Sequence, residues 1–185
     1  MKPLRALSVS FVLAAAPVVP AFAEPPASSL AGYVAADAFR ALIDENEEVV
    51  EVNLEGPILQ AVANSKSDGD AESKELFGKL KAIHAVIGTV KGPASEALAL
   101  VQKTDQKLAS AGWQRIARIK DESSTVSVLT HMSGDRIDGL VALIFDTDDK
   151  ELVFANLAGE IDLNRIGEIG DRLHVPGLNG VPGLH

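Results

Sequence analysis

The sequence predicts an α+β domain, a two-layer arrangement in which helices pack on a mostly antiparallel sheet of about six strands. Three observations predict it. Short runs alternate between apolar and polar residues, the period-two signature of strands, and the last of these runs follow one another with only turn residues between them. Gly56-Pro57 and Gly92-Pro93 each close a strand pattern and open a helical one, as a proline in the first helical turn does. About 160 residues beyond the leader form one domain, which buries roughly 70% of its unfolded surface and needs no disulfide to hold a core.

The elements follow in order. Residues 24–36, with Pro25 and Pro26, read as a flexible lead-in to a single domain over 37–174. Asp37 is placed to cap a short helix through Ile43, with Phe39, Leu42 and Ile43 as its apolar stripe, before a solvated acidic connection at Asp44, Glu45, Glu47 and Glu48. Val50, Val52 and Leu54 alternate with Glu51 and Asn53, predicting a strand, and the helix after Pro57 should turn Ile58, Leu59 and Val62 inward. Residues 64–71 are polar and loop-like, and Leu76, Phe77 and Leu80 then fall at helical spacing. Ile83 to Val90 is β-branched and predicts a strand. The helix from Pro93 to Ala111 should face Leu98, Val101 and Leu108 to the core and stop at Gly112, a left-handed cap.

From Trp113 the chain reads as a four-strand antiparallel meander over 113–119, 125–132, 137–145 and 152–158, so the two earlier strands come in β-to-α steps and the last four in succession. Leu140 to Phe145 is apolar on both faces, which predicts a central strand. Asp162 should cap a last helix carrying Ile166, Ile169 and Leu173, and residues 175–185, which repeat Val-Pro-Gly-Leu, read as a disordered Gly/Pro tail.

The first residues address the chain. Lys2 and Arg5 precede an apolar run from Ala6 to Val19 that ends at Ala21-Phe22-Ala23, the pattern of a secretory signal peptide over 1–23 cleaved between Ala23 and Glu24. The run is too short to span a bilayer. The whole chain carries −9, and loss of Lys2 and Arg5 with the leader makes it −11. That field repels nucleic acid and anionic surfaces, and no basic cluster with interleaved aromatics offsets it, so no nucleic-acid partner is expected. The absence of cysteine removes disulfides, thiol nucleophiles and a lipidated cysteine, and no second apolar run reaches transmembrane length, so neither a lipid nor a transmembrane anchor is expected in the mature chain.

Val50-Glu51-Val52-Asn53-Leu54, Gly112-Trp113, Asp138-Gly139-Leu140-Val141 and the run from Leu157 to Leu163 resemble the bacterial family known as domain of unknown function 4252, over about Val50 to Leu173. The resemblance implies a small exported or envelope protein with no established activity and no catalytic residues to carry over. Many members look like lipoproteins with a cysteine behind the signal, whereas this chain has none. It implies a protein free in the periplasm, with secretion as the alternative.

Candidate chemistry is sparse. Asp146, Asp148, Asp149 and Glu151 could offer oxygens to calcium, but the stretch lacks the glycine and closing glutamate of the EF-hand loop, so a plain solvated turn is the better reading. Asp68-Gly69-Asp70 with Glu72 reads as a capping loop. His84, His131, His174 and His185 are scattered without the paired spacing of zinc sites, and no metal or other cofactor is expected. Nucleophile elbow, Walker and dinucleotide motifs do not occur. Trp113 reads as core, and Trp113 and Tyr33 alone make no stacking platform. Asn156 interrupts an apolar strand face and is either buried and hydrogen-bonded or turned outward.

The expectation is therefore a non-enzymatic exported protein of the cell envelope that binds a partner protein or a small apolar ligand through a sheet edge or a sheet-helix cleft. The rival is an exported hydrolase or metal-dependent enzyme that would assemble Glu51, Asp138 and Glu160.

Overall fold

A computed structural model of the chain describes residues 26–65 and 78–162. The leader with its Ala23 to Glu24 cleavage point, the loop and helix expected before Lys79, the last helix, His174, His185 and the Gly/Pro tail lie outside the described residues.

Six strands form one open antiparallel sheet. They are β1 (Val49–Glu55), β2 (Leu80–Thr89), β3 (Gln114–Lys120), β4 (Ser124–Ser133), β5 (Arg136–Asp146) and β6 (Glu151–Ile161). Their order across the sheet is β1-β2-β6-β5-β4-β3. The last four strands make the expected meander, which folds back to lay β6 beside β2 with His84 opposite Asn156. β5 lies inside the sheet between β4 and β6, as its two apolar faces require. Side-chain polar atoms close the turns. Asp121 Oδ1 accepts the backbone N–H of Ser123 and Ser124, and Asp146 Oδ1 accepts those of Asp148 and Asp149.

Three α-helices accompany the sheet among the described residues, α1 (Asp37–Arg40), α2 (Gly56–Ser65) and α3 (Ala94–Ser110), besides one short 3-10 turn at Ala27–Ser29. Because neighbouring residues of a strand point to opposite faces, the sheet builds two cores. On one face Val141, Leu143, Phe145 and Phe154 meet Ala97, Val101 and Leu108 of α3 and Phe39 of α1, whose ring stacks on Phe154 at 4.5 Å. On the other, Leu140, Ala142, Val153 and Ala155 cluster with Leu59 of α2. Gly112 follows α3 at φ 93°, the left-handed conformation expected there. Among the described residues no helix is long and apolar enough to cross a membrane.

Four expectations are corrected. Strand β2 begins at Leu80, because Leu80 and Ala82 are buried while Lys81 between them is exposed, so the apparent helical spacing at Leu80 belongs to a strand. Of the three residues expected to face inward from α2 only Leu59 does; Ile58 is 63% and Val62 40% exposed, since a short helix laid on a sheet margin buries a narrow stripe. Helix α1 is a single turn, and Asp37 sits inside it with Ala36 at the cap and no side-chain capping bond. The lead-in is not loose over its described part: Ala27 is buried, and Leu30, Tyr33 and Val34 pack on the sheet.

One buried carboxylate ties α3 to the sheet. Asp105 accepts two hydrogen bonds from Arg115 of β3, at 2.8 and 2.5 Å, and one from Ser127 of β4 at 2.5 Å. Burial pushes its pKa up, but the bonds from Arg115 and Ser127 and the charges of Arg115 and Arg118 outweigh this and hold it below the ordinary aspartate value. A depressed folded-state pKa means stability present above the unfolded value of about 4 and lost as pH falls through the folded one. Asp105→Asn is expected to cost about 2 kcal/mol at neutral pH, the scale of hydrogen bonds to a charged group. Melting curves of both proteins between neutral and acid pH check this: the gap should close in acid, and a gap independent of pH would remove the carboxylate from the account.

Candidate functional site

The segment from Pro26 to Ala36 forms a strap across the face of the sheet that carries α3. Its anchor is Asn156, fully buried at the middle of β6. The Asn156 amide donates to the Gly32 carbonyl at 2.9 Å and the Leu140 carbonyl at 3.1 Å, while its Oδ1 accepts the Val34 N–H at 2.9 Å. One side chain thus pairs backbone groups of an otherwise irregular segment that burial would leave unsatisfied. Gly32 makes the approach possible. A Cβ built on it would stand 1.9 Å from the Asp138 carbonyl oxygen, and one on Gly139 would stand 2.5 Å from Gly32 Cα and 2.8 Å from the Trp113 ring. Only glycine lets backbone touch backbone here.

Between strap and α3 lies a cleft of about 530 Å³. Val34 and Phe39 form one wall, Leu100 and Leu108 the other, and Trp113 takes part in the lining. Lys103, Thr104 and Lys107 supply polar groups from the same stretch of α3. This pattern follows from helix geometry, because residues 100, 103, 104, 107 and 108 repeat at three- and four-residue steps and share one side of the helix. Among the described residues that line the cleft, Asp37 is the one carboxylate, against the ammonium groups of Lys103 and Lys107.

A second, smaller pocket of about 150 Å³ opens beside β1. Its floor is His84, whose side chain is 8% exposed and whose Nε2 lies 3.0 Å from Glu55 Oε1, near enough for an ion pair but not aligned as a hydrogen bond. The Tyr33 ring meets the His84 ring edge-on at 5.1 Å. Burial raises the Tyr33 pKa, and the nearby charges of Glu55 and Asp37 add to the rise. Across the pocket Arg40 bonds Glu51 at 2.8 Å and Glu45 at 3.0 Å, contacts that raise its own pKa.

The residues of the rival enzyme reading are each bound elsewhere. Glu51 holds Arg40. Asp138 lies 2.6 Å from His131 Nδ1, with the Trp113 ring 5.3 Å from the imidazole. Glu160 bonds Lys79 at 2.9 Å and lies 3.4 Å from Arg136, and its pKa falls, most through the Lys79 bond. His131 and Asp138 therefore do converge, but on a half-exposed part of the sheet and not in either cavity. Asp146 spends an oxygen on its own turn, and among the described residues no three His, Asp or Glu groups are grouped to hold a metal ion, the weak calcium candidates Asp146, Asp148, Asp149 and Glu151 included. Asn156 takes the buried, hydrogen-bonded alternative, and Trp113 is core.

The sequence reading missed the strap, Lys103 and Lys107. The lysines carried a signal, since Leu100, Lys103, Lys107 and Leu108 share one helix side; the strap carried none.

The family model described as Domain of unknown function (DUF4252) matches residues 39–169. No curated protein and no solved structure matches the chain.

Proposed function

Starting from the premise that the chain belongs to the DUF4252 family, we propose that it is a non-enzymatic, exported binding protein of the bacterial cell envelope whose strap-helix cleft holds an anionic amphiphile. The cleft carries this reading. Its volume falls in the range of about 300–1,000 Å³ occupied by small-molecule sites, and its apolar walls with a few polar groups match their usual lining. An alkyl chain would lie between Phe39, Leu100, Leu108 and Trp113, with its acidic head at Lys103 and Lys107. The lysines favour an amphiphile with an anionic head over a purely apolar ligand. Export is supported by the leader pattern that ends at Ala23, and release into the periplasm by the lack of cysteine behind it.

A ligand bound only by the folded state raises the melting midpoint. Decanoate is expected to raise it and decylammonium to leave it unchanged, while Lys103→Glu with Lys107→Glu should weaken decanoate binding by about tenfold or more. Equal shifts from both amphiphiles would show a greasy surface without a site.

A further inference from the structure

We propose that the two edges of the sheet fit each other, so that copies of this chain join head to tail by pairing β3 of one copy with β1 of the next. Both edges are open: among the described residues the backbone of β1 bonds only along its β2 side and that of β3 only along its β4 side. Both also expose apolar side chains, Val50 at 42% and Ile119 at 41%. An exposed apolar edge is a template for another strand.

The charges select the partner. The register puts Glu51 beside Val86 and Glu55 beside Ala82, so the carboxylates of β1 lie on the α3 side of the sheet, with Val50, Val52 and Leu54 on the other. On β3, Arg118 and Lys120 lie on the α3 side, opposite Ser127 and Thr125, with Ala117 and Ile119 on the other. One edge is acidic, Glu45, Glu51 and Glu55 outnumbering Arg40, which pairs with the first two, and the other basic, on the same face; both are apolar on the reverse face. Like edges repel, so symmetric β1-β1 and β3-β3 pairs are disfavoured while β3-β1 is favoured. Strand direction agrees. With six strands alternating, β3 runs opposite to β1, and a second copy set beside the first without flipping continues the antiparallel sheet with matching faces. Placing Ile119 opposite Val52 sets Lys120 against Glu51 and puts Arg118 diagonally between Glu51 and Glu55. The net charge of −9 opposes approach, but that repulsion is screened beyond a Debye length of about 8 Å at physiological salt, whereas facing strand residues sit about 5 Å apart. A head-to-tail contact does not close by itself, so growth continues past the dimer as a twisted fibre or a ring.

Sedimentation of the purified chain over a concentration series tests this. The average mass is expected to climb without a plateau at the dimer, and Arg118→Glu with Lys120→Glu, or Glu51→Lys with Glu55→Lys, should each weaken association by about tenfold or more. Mixing the two variants should restore it, since each then offers the edge the other lacks. Because the chain has no native cysteine, Val52→Cys with Ile119→Cys in one chain should give a covalent ladder under mild oxidation, and either substitution alone should give none. The ladder test holds even if the charge variants fold poorly. A wild-type chain that stays monomeric throughout, a plateau at the dimer, no restoration on mixing of folded variants, or ladders from the single substitutions would each overturn the proposal.

Discussion

Asn156→Leu is expected to destabilise the protein by about 3 kcal/mol and to detach the strap. Leucine matches asparagine in size but offers no donor or acceptor, so the Val34 N–H and the Gly32 carbonyl lose the partner that now compensates their burial. Each such group costs about 1–3 kcal/mol if it stays buried unpaired. The strap can avoid part of that cost only by lifting into water, which forfeits the packing of Leu30, Tyr33 and Val34. For a domain of this size the loss is a fall of about 10 °C in melting midpoint. Hydrogen exchange should rise sharply over residues 30–36 and little in β5. A variant with unchanged exchange there would mean that the strap is held by packing alone.

Gly32→Ala is expected to act as strongly by a different cause. A methyl at this position collides with the Asp138 carbonyl and with Gly139 Cα, all backbone atoms with no rotamer to change. Overpacking of this kind costs typically 1–3 kcal/mol and more where the surroundings are stiff, so about 3 kcal/mol is the expected loss. Since the strap supplies one wall of the cleft, decanoate affinity should fall with it, whereas Asp105→Asn, which lies outside that wall, should leave binding nearly unchanged. Thermal melting with and without decanoate separates the two effects. A Gly32→Ala protein as stable as the parent would contradict the close crossing.

Much of the fold could be read in the sequence because its signals are local. Alternation marked β1, runs set apart by short polar turns marked the four strands of the meander, and the chain reverses at turn residues such as Asp121, Gly134 and Asp146. The Gly112 cap ended α3 for the same reason. Errors came where two periods overlap: Leu80 continues a helical spacing from Leu76 and also starts the buried alternation of β2, and only pairing with β6 decides between them. The inward face of α2 failed similarly, since spacing says which residues share a side but not how wide a stripe the neighbouring sheet covers. The candidate site was least legible. Asn156 meets Gly32 across 124 residues and Val34 across 122, and Gly32 touches Gly139 from a similarly remote part of the chain, so no local window of sequence contains these contacts. Pro26 and the small residues after it resemble a flexible lead-in because the partner that orders the segment, Asn156, lies at the far end of the domain.

The direct test of the binding reading is photolabelling of the folded chain with a medium-chain carboxylate bearing a diazirine on its alkyl tail, followed by peptide mapping. Labelling is expected to concentrate on residues 33–39 and 100–113, to be displaced by decanoate, and to be lost in the protein carrying Lys103→Glu and Lys107→Glu. Labelling spread over α2 and the exposed face of β3, or undiminished by competitor, would contradict a site between the strap and α3.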